Sequence, residues 1–180
     1  MEGYYFDIET YSQGEFPDPK TDKIITIQFQ KINLKTGKIL GDLQILKEWE
    51  DGEEEMLKLV HKFFFKRNPW QFIPVGFNLI FEWKFLSEKF KQYGIDDKDL
   101  SYYFDTFPQI DLKFLAVLKQ GSFKGASLSS ISNKKDNGNV IKEYYENKEY
   151  SKISAYIENE TLSFIDLYSK IAKNIGKLFD

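Results

Sequence analysis

Asp7 and Glu9 stand two residues apart in Gly3-Tyr4-Tyr5-Phe6-Asp7-Ile8-Glu9-Thr10, a segment otherwise rich in aromatic and apolar residues. Strand side chains alternate between faces, so a strand here points both carboxylates the same way, close enough to share a hard divalent cation. Taken alone, D-x-E also fits a solvated strand edge. Its apolar setting favours the carboxyl end of a central strand, where α/β proteins place their sites. Asn78-x-x-Phe81-Glu82 follows a short apolar run and offers a third carboxylate at a helix start, or, more simply, a capping Asn and an exposed Glu. Tyr156-x-x-x-Glu160 sets a phenol and a carboxylate one helical turn apart, either aimed into one cleft or lying on an ordinary amphipathic face.

The elements that must position these groups are read from periodicity. The first strand is followed by a Gly- and Pro-containing loop over 11–22, and a second strand over Lys23–Gln30. A hairpin turn at Lys35-Thr36-Gly37-Lys38 leads to a third strand from about Ile39 to Leu46, completing an antiparallel meander. Met56, Leu57, Val60, Phe63 and Phe64 form one helical face after an acidic start, ending near Arg67-Asn68-Pro69. Phe72–Gly76 reads as a buried strand, and the next helix, carrying Phe85, Leu86 and Phe90, stops at Gly94. A fifth strand is expected near Tyr102–Thr106 and a short helix over Ile110–Leu118. The Ser-, Gly- and Asn-rich stretch Gly121–Asn139 is the candidate mobile region, and steps of three and four from Ile153 to Ile175 mark a long last helix. From periodicity alone the class is α/β or α+β, one domain over residues 1–180 with no internal repeat.

In this order the three acidic elements resemble the DEDD (DnaQ-like) superfamily of 3′–5′ exonucleases, over most of the chain. The family's first motif, D-x-E with a frequent following Thr, is matched by Phe6-Asp7-Ile8-Glu9-Thr10. Its second, N-x-x-x-D with Phe before the acid, is matched in spacing by Asn78-Leu79-Ile80-Phe81-Glu82. Its third, in the tyrosine type, is Y-x-x-x-D, matched in spacing by Tyr156-Ile157-Glu158-Asn159-Glu160; the histidine type needs His where Ala155 stands. Glu82 and Glu160 replace the family's usual Asp, each one methylene longer. Asp166, also on the last helix, has no Tyr four residues earlier.

The resemblance implies a ribonuclease H-like α/β fold, a central mixed five-stranded sheet of three antiparallel strands followed by parallel strands, flanked by helices. It implies two Mg²⁺ or Mn²⁺ ions held by Asp7, Glu9, Glu82 and Glu160, with Tyr156 orienting the attacking water. Thr10 and Asn78 become candidate contacts to a terminal nucleotide, and Tyr11 a ring for stacking on a base. The implied substrate is the 3′ end of single-stranded DNA or RNA. The rival is a domain of the same fold that binds nucleic acid or a protein without cutting, and internal cleavage is a third possibility.

Composition bears on these readings. Of 180 residues, 42% are hydrophobic and 17% aromatic, enough for a packed core. Cys is absent and one His is present, which excludes thiolate zinc sites and thiol nucleophiles and leaves oxygen as the metal donor. The net charge of −3 argues weakly against bulk electrostatic coating of nucleic acid. Lys113, Lys119, Lys124, Lys134, Lys135 and Lys142 make one stretch locally basic, for phosphates or simply for solvation. His61 is expected to be structural or exposed, and Trp49, Trp70 and Trp83 to be core or rim residues. With neither a basic, apolar leader nor a membrane-length apolar run, a cytoplasmic protein with no membrane partner is expected.

Overall fold

A computed structural model describes residues 2–14, 16–66, 68–132 and 139–177. Five strands form one mixed sheet in the order β3-β2-β1-β4-β5, so the strand that carries Asp7 and Glu9 lies at its centre. β1 (Gly3–Tyr11) pairs antiparallel with β2 (Lys23–Ile32), which pairs antiparallel with β3 (Gln44–Lys47). On its other side β1 runs parallel to β4 (Ile73–Gly76), and β4 to β5 (Ile110–Asp111). This is the expected α/β architecture.

Alternation along β1 divides its side chains between two helical layers. Tyr4, Phe6 and Ile8 enter a core with Met56, Leu57 and Val60 of α2 (Glu53–Val60), a helix preceded by a short α1 (Glu48–Asp51). Leu79, Trp83, Leu86 and Phe90 of α3 (Leu79–Gln92) complete that core. Its rings interlock: Trp83 stacks on Phe6 at 6.4 Å and on Tyr103 at 6.1 Å, and its Nε1 donates to Gln109 at 2.8 Å. The opposite face, bearing Tyr5, Asp7 and Glu9, is covered by α8 (Tyr150–Gly176), whose Ile153, Ile157 and Phe164 are buried. Layers on both faces require β1 to be apolar on both. The acids of its Tyr5-Asp7-Glu9 face therefore stand out as exceptions to that demand.

α2 does not simply stop: it widens into a π-helical turn over His61–Phe65 before Pro69. His61 is buried there, its Nε2 3.0 Å from an Asp96 oxygen that also accepts from Tyr103 Oη at 2.8 Å, which makes it structural. Trp83 is core, Trp49 stacks on Tyr150, and Trp70 lies exposed at the rim.

Three expectations about elements need correction. The third strand is confined to Gln44–Lys47; Ile39 makes only an isolated bridge with Ile32, because Gly41 and Asp42 interrupt the apolar alternation. Residues 102–106 are not a strand: Leu100–Thr106 is helix α4, which brings Tyr103, with Phe107 four residues on, against Trp83. The fifth strand is instead Ile110–Asp111, and the helix expected from Ile110 starts only at Lys113, as α5 (Lys113–Gln120). The stretch after Gly121 holds a short α6 (Leu128–Ile131) and ends in α7 (Asn139–Glu146), which lies against β1 and was not anticipated. Residues 133–138, with Lys134 and Lys135, lie outside the described residues. Gly94 ends α3 in the left-handed region at φ 64°, as expected. Among the described residues no helix is long and apolar enough to cross a membrane.

Candidate metal centre

Every third or fourth residue of α8 returns to the sheet face of β1. The helix runs back along the strand: the ring of Phe164 lies 5.0 Å from Tyr5, whereas the Tyr156 phenol feels the charge of Glu9 most strongly among its neighbours. Glu160 falls between them on the same stripe, which sets it opposite Asp7 and Glu9. Carboxylate oxygens of Asp7, Glu9 and Glu160 all lie within 4.8 Å of one another. Hard divalent ions are held by oxygen ligands, so such a group could hold one.

Asp7 is fixed from behind. Its Oδ2 accepts from Tyr5 Oη at 3.2 Å and from Gln28 Nε2 at 3.0 Å, and Gln28 Oε1 accepts from Thr26 Oγ1 at 2.9 Å. Antiparallel pairing sets this up, because Asp7 lies opposite Gln28 and Glu9 opposite Thr26. Past Glu9 the register skips Ile25, so Thr10 pairs with Ile24, and Ile25 turns toward the α7–α8 core while Ile24 stays in the other. Gln28 and Thr26 are fully enclosed, so their polar ends are committed to holding Asp7. Gln28→Leu is expected to preserve the fold and weaken Mn²⁺ binding about 10-fold or more, read by isothermal titration. Unchanged affinity would mean that Asp7 is oriented without it.

Glu82 lies beside Asp7 on the parallel side of the sheet and is not among the three acids within 4.8 Å of one another. It lies one turn into α3, is only 3% exposed, and its Oε2 has no hydrogen-bond partner. Burial raises its pKa well above the ordinary carboxylate range, and the charges of Asp7 and then Asp111 push the same way. An enclosed carboxyl oxygen without a partner, on a side chain beside Asp7, fits a hard divalent cation. Burial, with the charges of Glu9 and Glu160 and a hydrogen bond to Glu160, also drives the Tyr156 phenol upward, so it remains a neutral O–H donor. Tyr5 is shifted upward too, by burial first and then by Asp7.

Asn78 enters α3 in the left-handed region, φ 71°, which Asn tolerates better than most residues. It does not cap the helix with its side chain. The cap comes from Asp111 at the end of β5, whose Oδ1 accepts from the Asn78 and Lys113 amides at 2.8 and 2.9 Å and whose Oδ2 accepts from Leu79 N at 2.9 Å. Lys113 Nζ donates to Asn78 Oδ1 at 2.6 Å. Gly76 makes this corner possible: a Cβ there would lie 2.8 Å from the carbonyl oxygen of Phe6.

Of the residues singled out in the sequence, Asp7, Glu9, Tyr156 and Glu160 meet on one side of the sheet, with Glu82 reaching Asp7 from α3. Thr10 is at the register shift, half-buried. Tyr11 is drawn to α7, its ring 4.8 Å from Tyr145 and its Oη donating to Glu146 at 3.1 Å. Asp166 is paired with Lys170 on the solvent side of α8. Lys119 and Lys142 donate to the carbonyls of Ser130 and Gln13, whereas Lys113 adjoins this corner. Tyr5, Gln28 and Asp111 were missed. The one available signal was a Gln interrupting the apolar run of β2.

No family model matches the sequence, and no curated protein sequence matches it. Solved structures do. Apo exonuclease I superposes with a TM-score of 0.51 at 12% identity, over 66% of this chain and 30% of that one. E. coli exonuclease I in complex with a dT13 oligonucleotide gives 0.51 at 12% identity, over 66% and 29%. A product-bound exonuclease I gives 0.50 at 12% identity, over 66% and 31%. The chain thus spans under a third of exonuclease I, and across that span it shares the α/β fold of those structures.

Proposed function

We propose that the chain is a metal-dependent 3′–5′ exonuclease of the tyrosine-type DEDD class, working as one domain on single-stranded DNA or RNA ends in the cytoplasm. The observation that carries this reading is the meeting of Asp7, Glu9 and Glu160 within 4.8 Å at the centre of an exonuclease-type sheet. Asp7, Glu9, Glu82 and Glu160 would hold two Mg²⁺ or Mn²⁺ ions. When bound, such ions lower the pKa of water, neutralise the scissile phosphate and stabilise the leaving oxygen.

The chain's own groups supply orientation. Tyr156, kept neutral by burial and then by its acidic neighbours, would align the attacking water with the phosphate. Gln28 and Tyr5 hold one Asp7 oxygen in place, so the carboxylate does not reorient as charge develops. Thr10, Asn78 and Tyr11 are the candidate contacts to the terminal nucleotide. One observation favours a strand-binding domain without cleavage: Glu occupies two positions where the family's motif has Asp.

The test is degradation of 5′-labelled single-stranded DNA and RNA with Mn²⁺, Mg²⁺ or EDTA, beside a circular strand. A metal-dependent ladder shortening from the 3′ end, with the circle intact, is expected. A cut circle would turn the assignment to internal cleavage, and intact linear strands with folded protein would turn it to binding alone.

A further inference from the structure

Beside the turn that starts α3 lies a cavity of about 490 Å³, within the roughly 300–1,000 Å³ of small-ligand sites. Phe104 from α4, Phe114 from α5 and Phe123 from the loop beyond it line this cavity, and they are 45%, 61% and 66% exposed. Three large rings left open around one hollow mark a surface that meets something apolar and flat. Its polar end is made by Asn78, Asp111 and Lys113. Both Asp111 oxygens are engaged by the backbone amides of Asn78, Leu79 and Lys113. The Lys113 ammonium has three donor hydrogens, one of them directed at Asn78. Rings beside an ammonium group, with the one lining carboxylate hydrogen-bonded through both oxygens to the backbone, match the chemistry of a nucleobase flanked by its phosphate.

The cavity adjoins the corner where β5 meets α3, and that corner leads to Glu82. Asn78 and Asp111 line the cavity, Asn78 opens the helix that carries Glu82 one turn later, and Asp111 is near enough for its charge to act on Glu82. We propose that this aromatic cavity is a nucleobase subsite, receiving one internal base of a single strand whose 3′ end lies at the carboxylates, with Lys113 on the adjoining phosphate. This rests on the strand-binding part of the proposed function and adds a second point of attachment. It makes affinity depend on strand length: an oligonucleotide that reaches from the carboxylates to the rings binds more tightly than one that does not.

The experiment separates binding from cleavage by working in EDTA or with Ca²⁺, on oligonucleotides carrying 2-aminopurine at successive positions from the 3′ end. Strand binding is followed by anisotropy and stacking by fluorescence quenching. One internal position is expected to be quenched, and the quench to be lost in the Phe114→Ala/Phe123→Ala variant, with affinity about ten-fold weaker. Both positions are exposed, and an unchanged melting temperature confirms that the fold is intact. Lys113→Ala is expected to weaken the same strands and reduce the salt dependence of binding. A bound strand with no quenched position, or a quench that survives the double variant, overturns the subsite while leaving any metal-dependent ladder untouched. Absence of strand binding overturns both; capture of an apolar peptide at the rings without any strand effect overturns the nucleobase assignment.

Discussion

Asp7→Asn is expected to lower cleavage of single-stranded ends on the order of 10³-fold, the upper end of what loss of one preorganised electrostatic group costs, and to raise the melting temperature of the metal-free protein. The two effects share one cause. Asp7 is the acid whose charge reaches furthest: it disfavours ionisation of Glu82, Tyr5 and Tyr156, and it lies within 4.8 Å of Glu9 and Glu160. Without a cation these like charges repel, and the folded state carries that repulsion. Asn retains an oxygen to accept from Tyr5 or Gln28, so the strand is not disturbed while the charge is gone. A gain of about 1 kcal/mol would raise the melting temperature by roughly 2–4 °C in a chain of this size. Single-turnover cleavage with Mn²⁺ and calorimetry in EDTA measure the two halves. Cleavage above a tenth of the wild-type rate, or a lower melting temperature, would remove Asp7 from the centre of the site. Such an opposition between activity and stability is the usual mark of groups gathered for chemistry.

What the sequence made legible, and what it hid, follows from how far each signal reaches along the chain. The D-x-E pair and the Tyr156/Glu160 pair were readable because strand and helix periods fix which side chains share a face. The long stripe of α8 was readable for the same reason. Residues 102–106 misled because Tyr, Tyr and Phe in a row suggest a strand, although placing Tyr103 and Phe107 against Trp83 favours a helix; packing overrode propensity. β5, with two residues, has no period at all. The supports of the site were hidden for a different reason. Gln28 acts on Asp7 only because antiparallel pairing sets them opposite, and Asp111 caps α3 from 33 residues beyond Asn78. Neither relation leaves a local pattern. Asn78 shows the cost of reading locally: a residue type suited to capping instead takes a left-handed turn, and the cap comes from another strand.

Glu82→Gln should separate the two things asked of that buried acid. In the folded protein burial, and then the charge of Asp7, lift its pKa well above the ordinary 4.5. Between 4.5 and that raised value the folded state binds a proton that the unfolded state has released, so stability of the metal-free protein falls as pH rises through this window and is level beyond it. Gln carries no proton to lose, and its amide can donate toward Asp7. The falling limb above pH 4.5 should therefore flatten in the variant, which becomes the more stable protein at pH 8 in EDTA. Divalent ions reverse the order, because they favour the ionised carboxylate. Mn²⁺ at a hundred times its Kd should stabilise the wild type by about 2.7 kcal/mol, increasingly so toward high pH, and should stabilise Glu82→Gln much less. Cleavage by the variant should fall roughly 10²–10³-fold. Melting curves across pH with EDTA and with Mn²⁺ read all of this in one series. An unflattened slope would assign the proton to another group, whereas equal Mn²⁺ stabilisation of both proteins would make Glu82 a core residue and leave metal binding to Asp7, Glu9 and Glu160.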